Sequence, residues 1–189
     1  MSSFTAIANR ALSLLGQNPI VSLEDKTPAA EEINRVMPFV LDSVFRMHPW
    51  NCLVVRKSLA PTNDLPVYEY DYQYNLPSDC LRLLDVSTET DSRYTVEGRR
   101  ILTNAGPEIF IRYVAESLDP NQYDGLLREA LAAYLAATIC ERITQSNNKR
   151  DLANMELDKA LAHAKRVDAQ ENPPVGFKED SWISSRYWR

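Results

Sequence analysis

Glu69, Asp71 and Glu97 are the carboxylates placed most like a reacting pair, because Glu69 and Asp71 alternate with Tyr68, Tyr70, Tyr72 and Tyr74. Two carboxylates beside an aromatic surface are the equipment of glycoside hydrolysis, one protonating the leaving oxygen while the other attacks or activates water. The same rings would stack sugars or bases, or form a core or subunit interface. Nothing in the spacing fixes the carboxylate separation, so packing is the favoured reading of this row. His48-Pro49-Trp50 offers an imidazole beside an indole. It reads as an acid/base or ligand cluster or, more simply, as a stiff helix exit with Trp50 plugging a core. Arg93, Arg99 and Arg100 gather around one turn, and Lys149-Arg150 and Lys165-Arg166 recur later. They suit solvated faces, or an acidic partner surface.

Other chemistries lack their residues. The five glycines, Gly16, Gly98, Gly106, Gly125 and Gly176, come no closer than eight residues, so no phosphate-cradling glycine loop can be written. His48, His163, Cys52, Cys80 and Cys140 never fall at metal-ligand spacings, and three scattered cysteines read as reduced and mostly buried. No cofactor, metal or catalytic residue is expected. A formal charge of −5 argues against a dedicated nucleic-acid binder. With 189 residues, 44% apolar and 25% charged, the chain has the balance of one ordinary globular domain, or of two small ones sharing a core. The longest apolar run, Ala130 to Cys140, is eleven residues and too short to span a bilayer. Met1-Ser2-Ser3-Phe4 carries no charged region, so a cytosolic product without secretory leader is expected.

The elements that must position these residues follow from periodicity. Phe4, Ile7, Ala8, Ala11, Leu12 and Leu15 form one helical stripe, capped by Ser2 or Ser3 and ended by Gly16. Thr27-Pro28 starts a second helix that runs to about Arg46, with a kink or break expected at Pro38. From Cys52 the period becomes 2. Strands are expected over Cys52 to Leu59, over the tyrosine row as one aromatic-faced strand, and over Cys80 to Val86. Arg93 to Glu97 and Arg99 to Thr103 read as a hairpin about Gly98, and Glu108 to Ala115 as a last strand. The result is an antiparallel unit of about five strands. A capping box at Asp119-Pro120-Asn121-Gln122 restarts the helical period. Leu126 to Ile143 is apolar nearly all round and expected to be central. Lys149 to Asp168 carries only a narrow stripe, Leu157, Leu161 and Ala164.

These readings give an α+β fold: a helical bundle from both chain ends (1–51 and 119–172), an inserted small antiparallel β domain (52–118) and an extended C-terminal tail (173–189). Pro173-Pro174-Val175-Gly176 stops the helix, and the tail then holds Trp182, Arg186, Tyr187, Trp188 and Arg189. Trp, Tyr and Arg dominate interface hot spots, so these five are expected to bind a partner, together with Arg93, Arg99 and Arg100.

The order of pieces is also specific. An Ala11-Leu12-Ser13-Leu14-Leu15-Gly16 helix end leads to a Pro-capped helix leaving through Arg46-Met47-His48-Pro49-Trp50-Asn51. Then follow Tyr74-Asn75-Leu76-Pro77-Ser78-Asp79-Cys80-Leu81-Arg82, a helix opening Leu126-Leu127-Arg128-Glu129-Ala130-Leu131, and a Trp/Arg-rich end. Over nearly its whole length the chain resembles the tail tubular protein A, or head-to-tail adaptor, family of short-tailed bacteriophages.

The resemblance implies a structural virion protein and not an enzyme. Such a protein is a dodecameric ring under the portal protein ring, a platform for the nozzle (tail tubular protein B), with tail fibre or tailspike attached near the junction. It would be made in the host cytoplasm and reside in the virion tail, away from membranes. Double-stranded DNA would cross the ring's lumen during ejection without specific binding, and a net acidic subunit suits a passage that must not grip phosphate. The length and aromatic content of the tail after Pro173 depart from the family pattern. The rival expectations are a cell-envelope polysaccharide hydrolase carried on the tail, using Asp71 and Glu69, and a cytosolic scaffold that forms no ring.

Overall fold

A computed structural model describes residues 3–87 and 93–172 of the chain. Ser3 Oγ accepts the Ala6 amide at 3.1 Å and starts α1 (Phe4–Leu14), whose stripe of Ile7, Ala8, Ala11 and Leu12 is buried. Gly16, at φ +67°, takes the left-handed position that closes the helix. Thr27 Oγ1 caps Ala30 N at 3.2 Å and opens α2 (Pro28–Met47). The helix runs through Pro38 without the break expected there. Pro38 and Asn34 are both exposed, so the Asn34 carbonyl that loses its donor faces water, which offsets the loss. At His48 the backbone turns extended (φ −143°, ψ 147°), as the following Pro49 requires.

After the β unit, Asp119-Pro120 does not start the long helix. It makes a short 3₁₀ turn, Pro120–Gln122, and α3 (Gly125–Thr144) begins after Asp124, whose Oδ2 accepts Leu126 N at 2.7 Å. Tyr123 explains the interruption. It is buried in extended backbone, meets Phe45 edge-on at 5.4 Å between ring centroids, and donates its hydroxyl to Ser117 O. Anchoring that ring prevents turn and helix from joining. As expected, α3 is central: between Ala130 and Cys140 only Thr138 is exposed, and the helix packs on α1, α2 and α4 (Asn147–Glu171). Its small faces at Ala132, Ala133 and Ala136 allow that close approach. In α4 only Ala164 and Asp168 are fully buried, with Leu157 and Leu161 half-buried beside them, the narrow stripe foreseen.

Among the described residues the middle of the chain holds six strands rather than about five, divided between two sheets: β1 (Val54–Leu59), β2 (Tyr72–Asn75), β3 (Cys80–Ser87), β4 (Tyr94–Glu97), β5 (Arg100–Thr103) and β6 (Ile109–Ala115). One sheet has the order β1-β6-β3 and the other β2-β5-β4, all antiparallel. Gly98 and Arg99, at φ +49° and +62°, form the two-residue turn joining β4 to β5, the primed geometry that matches strand twist. The inner faces meet through Ile109, Ile111 and Tyr113 of one sheet and Tyr74 and Ile101 of the other. Val114, opposite Val54, instead joins the bundle core with Trp50 and Leu53. The protein is thus a mixed α+β fold with one core made by helices from both ends of the described chain and a second core inside the inserted sandwich.

The tyrosine row is not one strand. Only Tyr72 and Tyr74 lie on β2; Glu69 sits at φ +71° and Tyr70 N bonds back to Tyr68 O at 2.9 Å, turning the chain before the ladder begins. Tyr74 is fully buried and donates to Ala105 O at 2.9 Å, while the Tyr72 ring covers Gly106 so closely that a Cβ there would lie 2.7 Å from it. Tyr70 shares a 2.7 Å hydrogen bond with Thr95 Oγ1, and Tyr68 is 78% exposed.

The buried hydroxyls give a pH prediction. Burial first, then the nearby Asp79 carboxylate, pushes Tyr113 up to about 12, and burial raises Tyr123 as well. A tyrosine in the unfolded chain ionises near pH ~10. The folded state then holds protons that the unfolded state has lost. This contribution is complete below pH ~10 and disappears as pH rises through the folded value. Urea midpoints are therefore expected to fall between pH ~10 and ~12, and to fall less steeply in Tyr113→Phe. An equal slope in that variant would exclude Tyr113 as a source.

Candidate functional site

The sandwich has two outer faces of opposite character. On the β2-β5-β4 sheet, residues 61–70 fold over the face and are tied to it by Thr62 N donating to Gln73 O at 2.8 Å and by the Tyr70–Thr95 bond. Between loop and sheet lies a groove of about 470 Å³, lined by Asp64, Glu69, Glu97, Arg100, Gln73 and Leu102 among others. Its crest is apolar and open: Leu65, Val67 and Tyr68 are 76%, 97% and 78% exposed. Three carboxylates against one guanidinium leave the groove a formal −2.

Glu69 and Glu97 are therefore brought together and Asp71 is not; Asp71 is exposed outside the groove, its amide donating to Asn104 Oδ1 at 2.8 Å. General-acid work at neutral pH asks for a carboxyl in a desolvated setting. Glu69 and Glu97 are both exposed.

The three arginines around the hairpin diverge. Arg99 grips the turn before β3, donating to Pro77 O at 2.7 Å, Ser78 O at 3.2 Å and Cys80 O at 3.3 Å. Arg100 lines the acidic groove and reaches Gln73 Oε1 at 3.4 Å. Arg93 is exposed, and its carbonyl accepts Thr103 Oγ1 at 2.9 Å. Trp182, Arg186, Tyr187, Trp188 and Arg189 lie outside the described residues.

The outer face of the β1-β6-β3 sheet is basic and aromatic. Arg56 and Arg112 stand directly opposite each other in the ladder, and Phe110, 51% exposed, follows on the same face. With Ser58, Asp85 and Ser87 they line a groove of about 520 Å³, a formal +1 that becomes +2 with Lys57, which borders the groove from the edge strand although it pairs with inward-facing Ile111. Like charges opposite each other on a sheet are destabilising. Asp85 of β3 stands opposite Arg112 on the other side and offsets part of that, although among the described residues neither arginine makes an ion pair. The sequence carried the signal in its alternation, Phe110-Ile111-Arg112 across from Arg56-Lys57-Ser58. Without the pairing register, however, those charges read as ordinary surface.

His48-Pro49-Trp50 is the stiff, plugged exit. Trp50 is 1% exposed and its Nε1 donates to Val44 O at 2.8 Å. His48 packs edge-on against it and shares a 2.9 Å hydrogen bond with Asp168 Oδ2. Asp168 Oδ1 also accepts Asn51 N at 2.9 Å, and Asn51 Nδ2 donates to Asp168 O at 2.7 Å. Asn172 closes the knot, donating to Asn51 Oδ1 at 2.6 Å. Glu32, buried on α2, likewise accepts Arg35 at 2.6 Å and Arg142 of α3 at 2.8 Å. Sequence reasoning missed both carboxylates, since an isolated acid on a helix gives no sign of burial.

Cys52 feels the Asp168 charge, but burial and then that charge push its thiol up, the opposite of an activated nucleophile. Burial does the same to Cys80. Among the described residues no group of His, Cys, Asp and Glu could hold a metal ion, and no helix is long and apolar enough to cross a membrane. No family model and no curated protein matches the chain.

Proposed function

We propose that the chain is a structural virion protein of a short-tailed bacteriophage: a head-to-tail adaptor that joins the portal ring to the tail nozzle and forms part of the DNA ejection channel. The observation that carries this reading is the bundle core, in which α1 and α2 close on α3 and α4 with the whole β unit inserted between them. That is the architecture the sequence resemblance implies. Two oppositely charged outer faces on one small sandwich also fit a subunit that meets neighbours rather than a substrate. Tail fibre or tailspike would attach near the nozzle junction, and duplex DNA would pass without being read.

The knot of Asp168, Asn51 and Asn172 supports a role for the segment that follows, because it ties Asn172, the last described residue, to the exit of α2. A truncation after Pro174 is expected to remain soluble and folded and to lose docking onto its cognate portal ring in sedimentation. Co-sedimentation of the truncated chain at the full-length level would remove that role. A full-length chain that binds no portal ring but turns over capsular glycan, with activity lost in Glu69→Gln, would replace the adaptor reading with the hydrolase one.

A further inference from the structure

We propose that the acidic, apolar-crested face of the β2-β5-β4 sheet docks on the basic, aromatic face of the β1-β6-β3 sheet of a second copy of this chain. The inference rests on the adaptor reading, for which it supplies the lateral contact. Its own grounds are the two surfaces.

They are the outer faces of one sandwich, and so point away from each other across the shared core of Ile111, Tyr113, Tyr74 and Ile101. Each face therefore remains open when the other is covered. Their charges complement: Asp64, Glu69 and Glu97 dominate one groove, Arg56, Lys57 and Arg112 the other. Their apolar parts also match in kind, with Val67 and Tyr68 standing out from one face and Phe110 from the other. Asp85 offsets only one of the two opposed arginines within the subunit, so the Arg56–Arg112 face keeps an excess of positive charge that a partner's carboxylates would meet.

A contact between two different patches on identical chains is heterologous. It propagates head to tail and closes into a ring when the rotation per subunit allows. A two-fold dimer would need one patch to be complementary to itself, and neither patch is.

The test uses the full chain and exposed side chains only. One variant, Arg56→Glu/Arg112→Glu, makes both faces acidic; the other, Glu69→Lys/Glu97→Lys, makes both basic. Sedimentation from micromolar to millimolar concentration, at low and high salt, is expected to show salt-sensitive self-association of the wild type. Each variant alone is expected to be weakened roughly tenfold or more. Mixing the two variants is expected to restore association, because their faces then alternate. Recovery in the mixture also establishes that both variants are folded.

A wild type that stays monomeric at millimolar concentration and low salt overturns the proposal. So does a mixture that associates no better than its components, or an Arg56/Arg112 face that binds random-sequence duplex DNA while the chain never self-associates. If the variants associate and dock on portal rings like the wild type, the face pairing fails and the adaptor reading stands. If the mixture is rescued but no portal ring is bound, the reverse holds.

Discussion

Trp50→Ala is expected to lower the unfolding free energy by about 3–5 kcal/mol, the largest effect of any single substitution considered for this chain. The indole is fully enclosed where three elements diverge: the end of α2, the 3₁₀ turn Asn51–Leu53 and the start of β1. Truncation would leave a void ringed by side chains fixed on different elements, which cannot collapse together. A second contribution is polar. Val44 O is one of the four carbonyls that the end of α2 leaves without a helical donor, and the indole N–H is what satisfies it. Trp50→Phe separates the two effects, because it keeps much of the volume and loses the donor. Its cost should be smaller, with about 1 kcal/mol of it from the unmet carbonyl. Urea unfolding followed by far-ultraviolet circular dichroism measures both. If the alanine variant lost under about 1 kcal/mol, the site would be as relaxed as surface, and the plug assignment would be wrong.

Asp168→Ala should come second, at about 2–4 kcal/mol, although its side chain is small and lies one turn from the end of α4. The carboxylate serves His48 and the Asn51 amide at once, both at 2.9 Å, with little solvent access. Removing it leaves a backbone donor and an imidazole without their acceptor in a place that water reaches poorly. Asp168→Asn keeps one acceptor and should cost distinctly less. Hydrogen exchange in the last turns of α4 is expected to speed up in the alanine variant, and a double-mutant cycle with His48→Ala should give a coupling well above experimental error. Independent, additive losses would mean that the knot does not act as a unit.

How far the fold was legible depended on whether the determinant was local. The caps at Ser3 and Thr27, the glycine end of α1, the all-round apolar α3 and the Gly98 hairpin are set by residues within one turn of each other, and each was readable. The tyrosine row misled because period-2 alternation says nothing about a left-handed Glu69. Pro38 did not end α2, because a missing donor costs little on the exposed side of a helix. Asp119-Pro120 misled because the anchor that stops the helix, Tyr123 against Phe45, joins residues far apart in sequence. The candidate surfaces followed the same rule. Glu69, Glu97 and Arg100 could be named from sequence, whereas Arg56 and Arg112 became one patch only through the pairing of β1 with β6.

The placement of that pairing has a consequence for how the protein is born. Since β1 leaves the bundle paired with β6, the strand by which the chain returns, the elements made first wait on ones synthesised later. On the ribosome, α1 and α2 emerge with their greasy stripes bare. The first strand has no neighbour until residue 109 follows, and nothing can cover the two leading helices before α3 clears the exit tunnel. The nascent chain therefore carries these apolar stripes uncovered through most of its elongation, the circumstance in which aggregation competes with folding.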